Sequence, residues 1–187
     1  MKIGIIGAGR LGICLALLME GAGYDVLVSD IRKDYVDSLN KKVIVTEEPN
    51  VQERLTSTKN FEATTDNYKV IRECDLIFTL VATPSLSDGS YDVSAVYDVV
   101  RDIQIAGDVS GKTFVVGCTT NPGDCALFQD LLDSHGVKVV YNPEFIAQGT
   151  IIKDLITADM VLIGGADDED FEVLEKIYKD IQIKKPK

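Results

Sequence analysis

A glycine-rich stretch near the N-terminus constrains the fold of this chain more than any other feature. Residues 2–12 read Lys-Ile-Gly-Ile-Ile-Gly-Ala-Gly-Arg-Leu-Gly, so that Gly7, Gly9 and Gly12 have the G-x-G-x-x-G spacing. The isoleucines before these glycines are typical of a parallel strand that is buried on both faces. After the glycines, apolar residues recur at helical intervals up to a Gly-Ala-Gly at 21–23, which ends the helix. The stretch therefore predicts a strand, a tight turn and a helix.

The three glycines suit a phosphate-binding turn, each for a different reason. Gly7 makes the tight turn, Gly9 lets a pyrophosphate approach the backbone, and Gly12 lets the helix pack close to the strand. The N-terminus of the helix offers unpaired N–H groups and a partial positive charge to the pyrophosphate. The next predicted strand ends at Asp30, whose carboxylate accepts ribose hydroxyls and repels a 2′-phosphate, a preference that Arg32 reduces. The unit predicts a dinucleotide site that favours NAD over NADP; the alternative is a glycine turn that binds no ligand.

The composition excludes several other classes of protein. The net charge of −11 argues against nucleic acid and anionic membranes as partners, because both need a basic face. No apolar run reaches the ~18 residues of a membrane-spanning helix. The four cysteines lack metal-ligand or redox spacing, and the only histidine, His135, precedes Gly136 at a predicted helix end. We therefore expect no metal site, reduced thiols and a cytoplasmic location.

Strands and helices are predicted to alternate along the whole chain. After residue 30, strands are predicted over 61–64, 75–81, 113–117, 137–141 and 160–163, and helices over 33–41, 51–55, 67–72, 93–103, 124–132 and 171–181. This order predicts an α/β fold of the Rossmann type, a doubly wound and mainly parallel sheet with helices on both faces. Ligands of such folds bind beyond the carboxyl ends of the strands. The loops expected to form a site are therefore 7–12, 30–32, 82–92, 118–124 and 142–149.

Three of these loops resemble those of the nucleotide-sugar dehydrogenases, the UDP-glucose/GDP-mannose dehydrogenase family. Val81-Ala-Thr-Pro-Ser85 is similar to the family's V-N-T-P-T, and Cys118-Thr-Thr-Asn-Pro-Gly123 is similar to S-T-V-P-P-G. The most specific is Asn142-Pro-Glu-Phe-Ile-Ala-Gln-Gly-Thr150, which resembles the family's N-P-E-F-L-A/R-E-G-T run in the form of UDP-glucose 6-dehydrogenases. The resemblance covers essentially the whole chain.

The resemblance implies a role for individual residues. The NAD site would be lined by Gly7, Ala8, Gly9, Arg10, Leu11, Gly12, Asp30, Arg32, Val81, Thr83, Pro84, Ser85, Cys118, Thr119, Thr120 and Gln148. The nucleotide sugar would contact Glu144, Phe145, Ile146, Ala147 and Gln148. Glu144 would be the general base of a hydrolytic step, with Thr119 helping to hold the water. Family members oxidise a sugar C6 alcohol to a carboxylate in two hydride transfers, using two NAD and a cysteine thioester. UDP-glucose is the first expectation for the substrate, and the full-length enzyme is expected to be a homo-oligomer.

From the residues alone, plainer roles remain open at these positions. Glu144 either caps a turn or is a desolvated acid on a strand-following loop, where its protonation can be tuned. Thr83 and Thr119 either contact a ligand or brace their loops through hydroxyl-to-backbone hydrogen bonds. Cys118 is better interpreted as a small apolar residue behind its loop than as a nucleophile.

Some positions depart from the family pattern. Gln148 replaces a glutamate, Cys118 a serine and Asn121 a proline, and Arg10-Leu11 replaces a Tyr/Phe-Val pair. The G-G-x-C-F-x-K-D motif, which holds the family's nucleophilic cysteine, is absent from the chain, as is the central helix with its assisting lysine. We therefore expect residues 1–187 to be the N-terminal NAD-binding domain of a longer dehydrogenase, inactive by itself.

Two other functions remain as alternatives. The first alternative is an NAD-binding module without catalysis. The second is another Rossmann-type enzyme, such as a hydroxyacid or hydroxyacyl dehydrogenase. Those enzymes usually need a catalytic histidine, and His135 is poorly placed for that role. Substrates other than UDP-glucose, namely GDP-mannose and the UDP-N-acetyl-hexosamines, fit the same motifs.

Overall fold

The computed structural model of the protein describes residues 1–183 and consists of a six-stranded parallel sheet flanked by helices. The strands are β1 (Lys2–Ile6), β2 (Asp25–Ser29), β3 (Phe61–Thr64), β4 (Leu76–Thr79), β5 (Thr113–Val116) and β6 (Lys138–Tyr141). The helices are α1 (Arg10–Gly21), α2 (Lys33–Asn40), α3 (Val51–Ser57), α4 (Asn67–Glu73), α5 (Ser94–Ile105), α6 (Asp124–Leu132), α7 (Ile151–Ile156) and α8 (Asp168–Ile181). Residues 184–187, which the predicted domain included, lie outside the described residues.

The order of the strands confirms the predicted doubly wound fold. The sheet has the order β3-β2-β1-β4-β5-β6, and every neighbouring pair is parallel. The order reverses between β1 and β4, because the chain first builds outward through β2 and β3 and then returns to the other side of β1. The carboxyl ends of β1 and β4 therefore border a crevice at the point where this fold binds ligands.

The core lies on both faces of the sheet. Alternate residues of β1 point to opposite faces: Ile3 and Ile5 pack with α1, α7 and α8, whereas Ile6 packs with α4, α5 and α6. Helix α1 is buried along most of its length, since eight of its residues, from Gly12 to Met19, are buried. Burial of each large aliphatic side chain contributes roughly 1.5–3 kcal/mol, so this helix is held firmly against the sheet. The glycine turn before it is thus fixed at both ends.

The predicted strand over 160–163 is wrong. This segment forms no regular structure, and only Gly164 pairs with the sheet, through two antiparallel hydrogen bonds of 2.8 Å with Tyr141. The segment Met160-Val-Leu-Ile163 is a continuous apolar run, which suggested a strand, and Val161 and Ile163 pack against the core. Gly165 follows with a φ of +79° and turns the chain away after one bridge, so no ladder forms.

Helix α7 was not predicted, although it carries a helical pattern. Ile151, Ile152 and Leu155 are its buried residues. The Oγ1 of Thr150 donates a hydrogen bond to Asp154 Oδ2 at 2.8 Å, and the N–H of Ala147 donates to the same oxygen at 2.9 Å. The helix is only six residues long, so these local bonds are needed to secure its start. It fixes the end of the loop that follows β6.

Candidate functional site

The turn between β1 and α1 is packed closely at two of its glycines and open at the third. Gly7 has a φ of +99°, and a Cβ there would lie 2.7 Å from the backbone oxygen of Leu80. A Cβ on Gly12 would lie 2.0 Å from the backbone oxygen of Gly7. Among residues 1–183, no atom beyond Gly9 and its chain neighbours lies within 4 Å of where a Cβ on Gly9 would be, so the backbone there is open to a ligand at the N-terminus of α1. This cradle fits the pyrophosphate of a dinucleotide.

A cleft of about 420 Å³ opens at the switch point of the sheet, next to this turn. Five residues predicted for the cofactor site line it: Gly7, Gly9, Asp30, Arg32 and Val81. Residues that were not predicted also line it, among them Ile31, Asn67, Ala82 and Asp98. Ile31 is 92% exposed in the structure, and its sequence signal is that an apolar residue stands between the charged Asp30 and Arg32. Asn67 and Asp98 begin or belong to helices on the far side of the crevice, so only the tertiary fold brings them here.

Arg32 and Asp30 form a two-pronged ion pair at one side of the cleft. Arg32 Nε donates to Asp30 Oδ1 and Nη2 donates to Oδ2, both at 2.8 Å. The Arg32 guanidinium also lies 4.3 Å from the centre of the Tyr35 ring. Burial acts to raise the pKa of Asp30, but the hydrogen bonds from Arg32 outweigh it, so the pKa lies below its usual value. Asp30 is therefore ionised at neutral pH and is paired with the guanidinium of Arg32.

The loops after β4 and β5 are joined to each other. Asn121 Oδ1 accepts a hydrogen bond from the N–H of Tyr91 at 2.8 Å, and its Nδ2 donates to the Tyr91 carbonyl at 3.0 Å. Tyr91 in turn pairs with Ser85 through an isolated antiparallel bridge. The proline-to-asparagine departure at 121 thus supplies the side chain that ties the two loops together.

The remaining predicted residues of these two loops lie outside the cleft. They differ in exposure: Cys118 is buried, Thr83 and Thr120 are half-buried, and Pro84 and Thr119 are exposed. They lie at the same end of the sheet as the cleft, because each follows a parallel strand.

Glu144 follows β6 and contacts helix α8. Its carboxylate accepts a short hydrogen bond from the hydroxyl of Tyr178, whose oxygen also lies 2.5 Å from Asn142 Oδ1. Burial raises the pKa of Glu144 to about 7, and the hydrogen bond from Tyr178 acts in the opposite direction. Tyr178 was not predicted, because a tyrosine on the apolar face of a helix looks like any other core residue in the sequence.

The loop after β6 reaches the glycine turn. Arg10 Nη1 donates a hydrogen bond of 2.5 Å to Gln148 Oε1, which brings together two residues predicted to contact the cofactor. Both are departures from the family pattern. Buried Glu48 accepts from the N–H groups of Gly149 and Ile151, at 2.6 and 3.3 Å, and anchors the same loop from the other side. The loop is therefore fixed beside the dinucleotide cradle, although sequence reasoning missed Glu48.

The residues predicted for the substrate stand beyond Glu144 on this loop. Phe145 is 59% exposed and Ala147 is exposed, whereas Ile146 packs against the core.

The cysteines show no sign of an activated thiolate. All four are free, and Cys14, Cys74 and Cys118 are buried. Burial raises the pKa of Cys118 to about 12 and also raises the pKa of the other three thiols. Across residues 1–183, no group of three or more His, Cys, Asp and Glu side chains is arranged to hold a metal ion. Over the same range, no helix combines the length and apolar character needed to cross a membrane.

The parallel sheet, the glycine turn and the cleft at the switch point define a Rossmann-type dinucleotide-binding domain. The chain belongs to the UDP-glucose/GDP-mannose dehydrogenase family: the model of the family's NAD binding domain matches residues 1–182. Its cofactor is NAD, and the family consists of oxidoreductases that act on nucleotide sugars. This membership excludes the alternative of a hydroxyacid or hydroxyacyl dehydrogenase.

Individual relatives have similar levels of identity to this chain. UDP-glucose 6-dehydrogenase YwqF of Bacillus subtilis is 30% identical over an alignment of 194 positions, which covers 98% of this chain and 43% of that protein. GDP-mannose 6-dehydrogenase of Pseudomonas savastanoi pv. phaseolicola is 32% identical over 97% of this chain and 44% of its own length.

A solved structure of a nucleotide-sugar dehydrogenase is also similar to this chain. The ternary complex of GDP-mannose dehydrogenase from Pseudomonas aeruginosa aligns with a TM-score of 0.87 and 29% identity, over 96% of this chain and 44% of that one. The chain thus spans less than half the length of each of these three proteins.

Proposed function

We propose that this chain supplies the NAD site and part of the substrate site of an enzyme that oxidises the C6 alcohol of a nucleotide sugar to the carboxylate. The observation that carries the proposal is the position of Glu144. It is a half-buried acid with a pKa of about 7, on a loop that Arg10 and Gln148 connect to the dinucleotide cradle. An acid whose pKa lies near neutral pH can both take and release a proton, as a general base requires.

Each part of the site has its own role in the proposed reaction. The glycine turn and the N-terminus of α1 hold the pyrophosphate, and Asp30 accepts hydrogen bonds from the adenosine ribose. Bound NAD supplies a hydride acceptor. Glu144 takes a proton from the water that hydrolyses the enzyme-bound acyl group, and Thr119, in the adjacent loop, helps to hold that water. Phe145, Ile146, Ala147 and Gln148 contact the nucleotide sugar.

The nucleophile of the hydrolytic half-reaction lies outside this chain in our proposal. The pKa of every thiol is raised by burial, and a thiolate is the reactive form of cysteine. The relatives are more than twice as long as the matched region, which leaves room for a segment that carries it. We infer that residues 1–187 act as the NAD-binding domain of a longer enzyme, which we expect to be a cytoplasmic homo-oligomer.

UDP-glucose is the first candidate for the substrate, because the N-P-E-F loop has the form found in UDP-glucose 6-dehydrogenases. GDP-mannose is the main competitor, since relatives named for each sugar are equally similar to this chain. A second candidate function is an NAD-binding module without catalysis, which the four protonated thiols favour.

The test combines binding and turnover. The chain saturated with NAD is titrated with UDP-glucose, GDP-mannose and UDP-N-acetylglucosamine while ligand NMR follows binding, and NADH fluorescence follows turnover. We expect NAD-dependent binding of one of these sugars and no sustained NADH production. Failure to bind any nucleotide sugar supports the non-catalytic module, and sustained turnover that Cys118→Ala abolishes shows that the nucleophile lies within this chain.

A further inference from the structure

The hydroxyl of Tyr178 is not explained by packing. Tyr178 is 2% exposed and lies on the apolar face of α8 with Leu174, Ile177 and Ile181. A phenylalanine ring would fill the same space. The hydroxyl adds a polar group to the interior, and a buried hydroxyl destabilises the fold unless it has hydrogen-bond partners. Its partners are Asn142 and Glu144, the first and third residues of the loop after β6.

The two partners compete for one proton. The Nδ2 of Asn142 donates to the carbonyl of Leu162 at 2.8 Å, so the amide is oriented with Oδ1 towards Tyr178. Oδ1 is then only an acceptor, and so is the carboxylate of Glu144 when it is ionised. The tyrosine has a single hydroxyl proton, which can be donated to only one of them at a time.

The protonation of Glu144 decides which one receives the proton. When Glu144 carries a proton, its own O–H donates to the oxygen of Tyr178, and Tyr178 donates to Asn142, so that all three groups are satisfied. When Glu144 is ionised, the negative carboxylate is the stronger acceptor and takes the proton of Tyr178. Glu144 Oε1 thus keeps a hydrogen bond in both states. Within residues 1–183 nothing hydrogen-bonds to Oε2, so that oxygen is left for a water or a ligand.

We propose that Tyr178 is a positioning residue that holds Glu144 in place and sets its protonation equilibrium, by turning one hydroxyl proton from Asn142 to Glu144 as the carboxyl ionises. The contact stands on the geometry alone, and its consequence for catalysis rests on the base role proposed above. The arrangement lets a half-buried acid change its charge without moving, because its partner turns instead. A base that must act in each turnover needs that property.

No other ionisable group described in the structure counteracts this effect. Burial raises the pKa of Glu144, and the hydrogen bond from Tyr178 on α8 is the one contribution from a titratable side chain of residues 1–183. Removal of the hydroxyl should therefore raise the protonation midpoint further. A hydrogen bond to a charged group corresponds to roughly one to two pKa units, and the competition from Asn142 places the expected shift at about one.

The test compares two Tyr→Phe variants, one on α8 and one at a tyrosine that contacts α8 from outside. Tyr178→Phe removes the hydroxyl beside Glu144, and Tyr24→Phe removes a hydroxyl that bonds to a different carboxylate, that of Asp180 on α8, at 2.6 Å. Carbon-detected NMR of the side-chain carboxyl, assigned with Glu144→Gln, follows the Glu144 midpoint between about pH 5 and 9. We expect an upward shift of about one pKa unit in Tyr178→Phe and none in Tyr24→Phe. An unchanged or lowered midpoint in Tyr178→Phe overturns the proposal.

A third variant excludes loosened packing as the cause. Substitution of Tyr178 by 3-fluorotyrosine keeps the ring and makes the hydroxyl a stronger donor, so the Glu144 midpoint should fall. It also gives a result if Tyr178→Phe does not fold, since a midpoint that fails to fall then overturns the proposal. Opposite shifts in the two variants cannot come from a packing defect, which would act in one direction.

Activity separates this proposal from the proposed function. In a longer enzyme that contains this chain, the pH–kcat profile of Tyr178→Phe should move to higher pH while the KM for NAD stays constant. A shifted midpoint with an unshifted pH–kcat profile supports the contact and contradicts the base role of Glu144. A shifted profile without a shifted midpoint contradicts the role of Tyr178.

Discussion

The burial of Glu144 predicts how the stability of this chain depends on pH, without any cofactor or substrate. Burial raises its pKa from the usual 4.5 to about 7, so the folded chain binds a proton at this carboxyl more tightly than the unfolded chain does. The resulting stability is fully present below about pH 4.5 and is lost as the pH rises through the folded pKa. Glu144→Gln removes this titration and keeps an oxygen that accepts from Tyr178.

The size of the effect follows from the two pKa values. They differ by about 2.5, and ~1.36 kcal/mol per pKa unit gives a loss of about 3 kcal/mol between low and high pH. Because the side chain is half-buried rather than enclosed, solvent screening lowers the expectation to about 2–3 kcal/mol. Such a loss is a large fraction of the stability of a typical domain.

The measurement is urea unfolding, followed by circular dichroism, at several values between about pH 5 and 8. Subtraction of the wild-type free energy from that of Glu144→Gln cancels the groups that titrate in both proteins. We expect Glu144→Gln to gain about 2–3 kcal/mol relative to the wild type over this range. Glu47→Gln is the matched control, since its side chain is 90% exposed, and its difference should stay constant. A pH-independent difference for Glu144→Gln refutes the reasoning.

Three further predictions concern the cofactor turn and the reaction. We expect calorimetry to show tighter binding of NAD than of NADP, and Arg32→Gln to widen the gap about fivefold, because the uncompensated Asp30 repels a 2′-phosphate; an unchanged ratio contradicts this. Gly12→Ala should destabilise the chain by about 3 kcal/mol or more in urea unfolding, since its Cβ would overlap the oxygen of Gly7 and neither backbone can move freely. In a longer enzyme, Glu144→Gln should release a burst of NADH and then slow steady turnover about 10²–10⁴-fold, with the sugar attached to the protein; rapid mixing with mass spectrometry detects both.

Local patterns in the sequence were sufficient for most of the fold. The helical spacing of Val96, Val99, Val100 and Ile103 predicted α5. Those four are the buried residues of that helix in the structure. A local pattern failed at 160–163, where a run of four apolar residues indicates contact with the core but does not show whether a second strand runs alongside. Strand pairing depends on the partner, so it was decided by the turn at Gly165 and by the single bridge to Tyr141.

The sequence by itself determined the dinucleotide cradle, because a turn that needs a positive φ at Gly7 and no side chain at Gly12 leaves few residue types to choose from. It also placed Glu144 on a strand-following loop. Only the tertiary structure showed which groups surround that acid, because Tyr178 is 34 residues away in the chain. In the sequence pattern of its helix, Tyr178 looks like any other apolar core position. The protonation of a buried acid depends on groups that approach it through space, and the identity of those groups is a property of the packed fold.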